Sequence, residues 1–234
     1  MSSTGFKKIR AVTFDAGGTL IEPWPSVGHV YAAAARSHLS EDADPEALNR
    51  QFRDAWEKRG SFDYSRESWL DLVRQTFRGI SSDPDLFFHE LYDRFEQPDA
   101  WRIYDDVIPT LELLQERGFK LGVISNWDER LRPLLKNLGL AKYFDVTTIS
   151  VEAGATKPAA QIFQQTLENL GLPAESVLHV GDSTREDYLG PQQVGMPSLL
   201  VKRGSTQTTV PHILASLSEI LALLPNIDGR QSRL

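Results

Sequence analysis

The feature that most constrains this chain is a repeated ending. Three short apolar runs, at residues 9–14, 119–124 and 177–180, each stop on small and polar residues. The first runs into Asp15-Ala16-Gly17-Gly18-Thr19, the second into Ser125-Asn126, the third into Gly181-Asp182-Ser183. Runs of that length bounded by turn residues read as strands, and apolar or β-branched runs at 144–149 and 198–201 add two more. Helical patterns lie between them, including Val107-Leu111-Leu114 and Ile162-Phe163-Thr166-Leu167-Leu170, and Gly118, Gly139 and Gly171 stand where helices would stop. Strands alternating with helices predict an α/β fold, a parallel sheet covered by helices on both faces. At 234 residues the chain suits one large domain or two modest ones.

One stretch breaks the alternation. From about residue 22 to about 102 no strand pattern is found, but four helical ones are, at about 27–39, 45–58, 66–79 and 84–96. Leu70, Val73 and Phe77 fall on one face of the third, and Phe87, Leu91 and Phe95 on one face of the fourth. Trp24, Trp56, Trp69 and Trp101, four of the five tryptophans, lie in this stretch or at its edges. It predicts a helical bundle with an aromatic core, inserted after the first strand in the position of a lid. The end of the chain after about residue 225 reads as a short polar tail.

Composition removes several classes of function. With no cysteine, disulfides, thiolate metal sites and cysteine nucleophiles are excluded. A formal charge of −7 and a pI near 5.3 argue against a general nucleic-acid or anionic-membrane surface. No apolar stretch approaches the roughly 20 residues that span a bilayer, and residues 1–10 lack the apolar segment of a secretory signal. The expectation is a soluble, cytoplasmic protein with neither nucleic acid nor membrane as partner.

In a parallel sheet, the residues that follow each strand gather along one edge, where open α/β sheets bind ligands. That edge would collect Asp15 and Thr19, Ser125 and Asn126, then Asp182, Ser183 and Asp187, with Lys157-Pro158 opening a helix beyond the fourth run. Clustered carboxylates tolerate one another when a hard cation such as Mg²⁺ sits among them. The Lys157 ammonium and the hydroxyls would then hold the oxygens of a phosphoryl group.

Taken in order, these pieces resemble the haloacid dehalogenase-like (HAD) hydrolase superfamily. The motifs are Phe14-Asp15-Ala16-Gly17-Gly18-Thr19-Leu20, then Val123-Ile124-Ser125-Asn126, then Lys157-Pro158 with Ile162-Phe163, then His179-Val180-Gly181-Asp182-Ser183 with Asp187 and Gly190. The similarity covers essentially the whole chain. It implies a Rossmann-like three-layer core at about 1–21 and 103–234 and an all-helical cap at about 22–102. It also implies attack by Asp15 on phosphorus to give an aspartyl-phosphate, which water then hydrolyses. Mg²⁺ would be held by the Asp15 carboxylate, the Gly17 carbonyl, Asp182 and Asp187, the last directly or through water. Thr19, Ser125, Asn126 and Lys157 would bind a small phosphorylated substrate, with Thr19 also supporting the turn. Lys157, which offsets the Asp15 carboxylate, would share the catalytic role with Asp15.

The chain departs from that pattern at position 17. Phosphatases of the superfamily usually place a second Asp there, which protonates the leaving oxygen and later activates water. Gly17 can do neither, and loss of a general acid/base costs on the order of 10²–10⁴ in rate. A weakly active or non-catalytic binding protein therefore stays open beside the phosphatase reading, as do covalent hydrolases of the dehalogenase or phosphonatase type. Asp182 with Asp187 argues against the dehalogenases, which need no metal. A phosphonatase needs a cap lysine, and Lys58, the only one between residues 22 and 102, reads as part of a charged helix end. Glu22 reads as a loop carboxylate rather than a replacement acid, Glu186 as a helix N-terminal acid, and His179 as packed within its strand.

Overall fold

The computed structural model describes residues 6–39, 42–204, 213–224, 226 and 227. The expected polar tail beyond residue 225 falls almost entirely outside them. The chain divides into two compact units, one formed by Met1–Ile21, Ile103–Asn126 and Gly139–Leu234, the other by Glu22–Arg102 and Trp127–Leu138. No helix among the described residues is long and apolar enough to cross a membrane.

The first unit carries a six-stranded sheet. Its strands are β1 (Ala11–Phe14), β4 (Lys120–Ser125), β5 (Val146–Ile149), β6 (Val177–Gly181), β7 (Ser198–Val201) and β8 (Ile213–Leu214), in the order β5-β4-β1-β6-β7-β8. Every pairing in it is parallel. Each residue of β1, β6 and β7 is buried, as strands covered on both faces must be, which explains their unbroken apolar character. Strand β1 lies between β4 and β6, with Phe14 level with Val123 on one side and Val180 on the other. The chain thus turns to opposite sides of β1, and the three strands with polar ends in the sequence stand side by side. Helix α8 (Ala160–Leu170) packs Ile162, Phe163 and Leu170 against Ala11, Ile124 and Val177 of the sheet. Each such fully buried apolar side chain contributes about 1.5–3 kcal/mol. The helix stops at Gly171, whose φ of 66° is the left-handed conformation glycine adopts without strain.

The second unit is helical, with α1 (Val27–Ala35), α2 (Pro45–Glu57), α3 (Arg66–Thr76), α4 (Asp85–Arg94) and α6 (Leu131–Asn137); α5 (Val107–Glu116) belongs to the first unit. Local chemistry starts these helices. Asp44 accepts from the N–H groups of Glu46 and Ala47 ahead of Pro45, and Ser65 accepts from Ser68 at the start of α3. The core shared by α1–α4 holds Tyr31, Leu48, Val73, Phe77, Phe87 and Leu91, with Leu70, Trp69 and Phe95 packed against it. Two short strands, β2 (Ile21–Pro23) and β3 (Trp101–Ile103), pair as a two-stranded ribbon that no sequence pattern marked. Trp127–Leu138, read from the sequence as part of the α/β core, groups with the helices. The reason is Arg130: its guanidinium takes both oxygens of buried Asp128, donates to the Tyr92 carbonyl at 2.8 Å and lies 3.5 Å over the Tyr92 ring.

Candidate active site

Asp15 is the first residue beyond β1, and its backbone N–H donates to the Val180 carbonyl at 2.9 Å. The chain then turns sharply. The Leu20 and Ile21 N–H groups return to the Ala16 carbonyl at 2.8 and 3.0 Å, and Gly18 donates to Ile21 at 2.8 Å. The left-handed residue of the turn is Gly18, at φ 76°. A Cβ on Gly18 would lie 2.7 Å from Asp182 Oδ2, so this turn presses directly on the carboxylate that follows β6. Asp15, Ser125 and Asp182 come from the ends of three adjacent central strands, which is why they meet.

Lys157 binds these ends together. Its main chain is clamped by one side chain, since its N–H donates to Asn126 Oδ1 at 2.6 Å and its carbonyl accepts from Asn126 Nδ2 at 3.0 Å. Its buried ammonium donates to Asp15 Oδ1 at 2.6 Å, to Asp187 Oδ1 at 2.6 Å and to the Ile124 carbonyl at 2.9 Å. An ammonium has three protons, and these partners use all of them. Ser125 Oγ donates to the same Asp15 oxygen at 3.0 Å. Burial works against the Lys157 charge, but the two carboxylates outweigh it and hold its pKa above the ordinary value. Burial pushes the Asp15 carboxyl up to about 7, with Lys157 opposing and Asp187 and Asp182 adding to the rise. Burial and the nearby Asp187 also raise Asp182.

Of the three clustered acids, Asp187 has the most hydrogen-bond partners. It sits on a π-helical turn, Thr184–Leu189, an uncommon geometry found often at functional sites. Besides Lys157, its Oδ1 lies 3.2 Å from His179 Nε2, and its Oδ2 accepts from the Ser183 N–H at 2.9 Å. Burial alone would raise its pKa; Lys157 and His179 outweigh that and keep the carboxyl well below its usual range. Only glycine fits at position 181, because a Cβ there would lie 2.3 Å from the Asp187 carboxyl carbon. Donor oxygens of Asp15, Asp182 and Asp187 all lie within 4.8 Å of one another, so the three could hold a metal ion.

The other candidates found in the sequence take varied places. Thr19 is fully buried; its hydroxyl has no hydrogen-bond partner among the described residues, while its carbonyl accepts from Arg203 Nη2 at 2.5 Å. Gly17 forms an isolated bridge with Ile21. Glu22 is engaged by Arg102, whose Nε donates to it at 2.9 Å and whose guanidinium covers Trp24 at 4.0 Å. Lys58 caps the end of α2 and is exposed. Glu186 donates its N–H to Ser183 Oγ in the first turn after β6. Sequence reasoning gave no functional role to Thr13 or Arg203 and read His179 only as packed within its strand. A signal for Thr13 and His179 existed, because they occupy equivalent places in the runs that lead to Asp15 and Asp182. Arg203 carried none, since its partners Thr19 and Asp106 are remote in sequence.

Comparison with known proteins gives a consistent family. A family model described as haloacid dehalogenase-like hydrolase matches residues 9–195. The human protein named haloacid dehalogenase-like hydrolase domain-containing protein 3 is 37% identical, covering 95% of this chain and 96% of its own length. A glyceraldehyde 3-phosphate phosphatase of Methanopyrus kandleri is 30% identical, covering 87% of this chain and 88% of its own. Among solved structures, a HAD phosphatase from Thermococcus onnurineus superposes with a TM-score of 0.67 at 28% identity, over 93% of this chain and 99% of that one.

Proposed function

Because the chain belongs to the haloacid dehalogenase-like hydrolase family, we propose that it is a Mg²⁺-dependent phosphatase of small phosphorylated molecules, with Asp15 as nucleophile. The observation that carries this reading is the lysine shared by two acids. Lys157 fixes Asp15 Oδ1 together with Ser125, so the carboxylate plane is set before substrate arrives. The donor set suits a hard divalent cation: three carboxylates of one small region, two of them raised in pKa by burial and mutual repulsion. Asp15, Asp182 and Asp187 would hold that ion, with the Gly17 carbonyl beside them. When bound, it would neutralise charge between an anionic nucleophile and an anionic phosphoryl group. The likeness to two phosphatases supports the substrate class.

In the first step an Asp15 carboxylate oxygen attacks phosphorus. The new O–P bond forms as the ester O–P bond breaks, and the leaving oxygen departs with the electron pair. Position 17 offers no side-chain acid to protonate it, so turnover should favour leaving groups that are stable as anions. In the second step water attacks the aspartyl-phosphate, the Asp15 O–P bond breaks, and inorganic phosphate leaves as the carboxylate is restored. The Lys157 ammonium, already using three protons, binds a phosphoryl oxygen only by sharing or exchanging one of its present partners. Its first role is to keep Asp15 ionised and in place. Asn126, committed to the Lys157 main chain, acts by placing that ammonium.

The test is hydrolysis of p-nitrophenyl phosphate, whose leaving group needs little protonation. Mg²⁺-dependent release that disappears in Asp15→Asn and with chelator is expected; release unchanged by either removes the proposal. Gly17 favours a second reading, a scaffold that binds a phosphorylated ligand without turnover. It predicts binding retained by Asp15→Asn and no release of p-nitrophenol from either protein.

A further inference from the structure

His179 is the one histidine of this chain that is fully buried among the described residues, and both its ring nitrogens are engaged. Nδ1 lies 2.9 Å from Thr13 Oγ1 and Nε2 lies 3.2 Å from Asp187 Oδ1. The pairing register explains this, because Thr13 and His179 are direct partners across β1 and β6. Asp187, in a salt bridge with Lys157, can only accept, so Nε2 must carry a proton and donate it. The Thr13 hydroxyl then takes whichever role Nδ1 requires. The ring plane is fixed from α8, where Phe163 meets it edge to face at 5.8 Å and 77°. The same phenyl ring holds the turn that carries Asp187, since a Cβ on Gly190 would lie only 3.1 Å from it. A buried chain of contacts therefore runs from Thr13 through His179 to Asp187, then through Lys157 to Asp15.

We propose that Thr13 and His179 are positioning residues of the site, which orient the Asp187 carboxylate and thereby hold Lys157 where it is shared with Asp15. Asp187 Oδ1 receives two donors from different elements, Lys157 Nζ and His179 Nε2. With the imidazole removed, the ammonium and the Ser183 N–H are the only donors among the described residues left to constrain the carboxylate, and it can swing away from the position that serves Asp15. Partners of this kind around metal ligands and catalytic acids typically contribute about 10–100-fold to affinity or rate.

The experiment compares crystal structures and kinetics of the unsubstituted chain, His179→Leu, His179→Gln and Thr13→Val, with thermal unfolding recorded so that each is assayed folded. In His179→Leu the Asp187–Lys157 contact opens beyond hydrogen-bonding range, and kcat for p-nitrophenyl phosphate falls about 10–100-fold with KM little changed. His179→Gln, whose amide N–H can replace Nε2–H, recovers most of both. Thr13→Val moves both in the same direction by less, and decides the matter if His179→Leu does not fold. Unchanged Lys157 contacts in the variants overturn the proposal, and so does an equal loss of kcat in the Leu and Gln variants. The kinetic arm rests on Asp15 being the nucleophile. If the unsubstituted chain shows no Asp15-dependent turnover, that reading fails, and the crystallographic arm still decides the positioning role.

Discussion

Replacing Lys157 by Met removes the cation on which the site is built while keeping most of the side-chain volume. The ammonium is 2.6 Å from an oxygen of each of Asp15 and Asp187, and its side chain is 1% exposed. Without it, two carboxylates face each other with oxygens within 4.8 Å. At an effective dielectric of about 20, like charges at that distance repel by about 3 kcal/mol. Removing one partner of a buried ion pair costs about 3–5 kcal/mol by direct measurement elsewhere, so both routes give the same size of effect. In a protein of this length that corresponds to a fall in Tm of about 6–20 °C. Proton uptake by Asp15, whose carboxyl burial already pushes up to about 7, would relieve part of the cost, so the measurement belongs near pH 8. Thermal unfolding in EDTA and in excess Mg²⁺ provides the readout. Lys157→Met should be much less stable than the unsubstituted chain in EDTA, and Mg²⁺ should raise its Tm by more, because the cation then replaces a missing positive charge. A variant within about 1 kcal/mol of the unsubstituted chain in EDTA would refute the reasoning. Equal Mg²⁺ shifts in the two proteins would do so as well.

Gly17→Asp should fold, since the left-handed residue of the turn is Gly18, and should raise kcat on alkyl phosphates, by at most about 10²–10⁴; a folded, Mg²⁺-binding variant with no gain would show that the missing acid does not limit the site. Gly181→Ala places a methyl 2.3–2.5 Å from Asp187 atoms and should cost about 1–3 kcal/mol by denaturant unfolding while weakening Mg²⁺ binding, whereas an unaltered Mg²⁺ titration would contradict the geometry. Burial works to raise Asp106, but hydrogen bonds from Ser216, Arg203 and the Leu217 N–H hold its carboxyl below the usual range. Its contribution to stability is therefore complete above the ordinary Asp pKa of about 4 and is lost as pH falls through the lower folded value. Asp106→Asn should destabilise at pH 7 and progressively less between about pH 4 and pH 2, and a pH-independent difference would count against this.

The placement of the site was legible where local pattern and topology say the same thing. Asp15, Ser125 and Asp182 each follow an apolar run, and once those runs pair in parallel around β1 they must meet. What the sequence hid depends on side-chain direction rather than on position. Asn126 read as a substrate ligand, but its amide is taken up by the Lys157 main chain. His179 read as a packed core residue, and it is buried as expected; its two hydrogen bonds appear only when Thr13 and Asp187 are set on either side of the ring. The β2–β3 ribbon escaped because three-residue strands carry no usable alternation. Trp127–Leu138 was assigned to the α/β core by its neighbours in sequence, whereas a buried Arg130–Asp128 pair ties it to α4.

The central claim is that Asp15 accepts a phosphoryl group. Its most direct test is rapid acid quench of the protein turning over p-nitrophenyl phosphate with Mg²⁺, followed by peptide mass spectrometry. The account predicts a phosphoryl adduct on the peptide containing Asp15, absent from Asp15→Asn and absent when the metal is chelated. Turnover that proceeds at the full rate in Asp15→Asn, or an adduct carried by another residue, would contradict it.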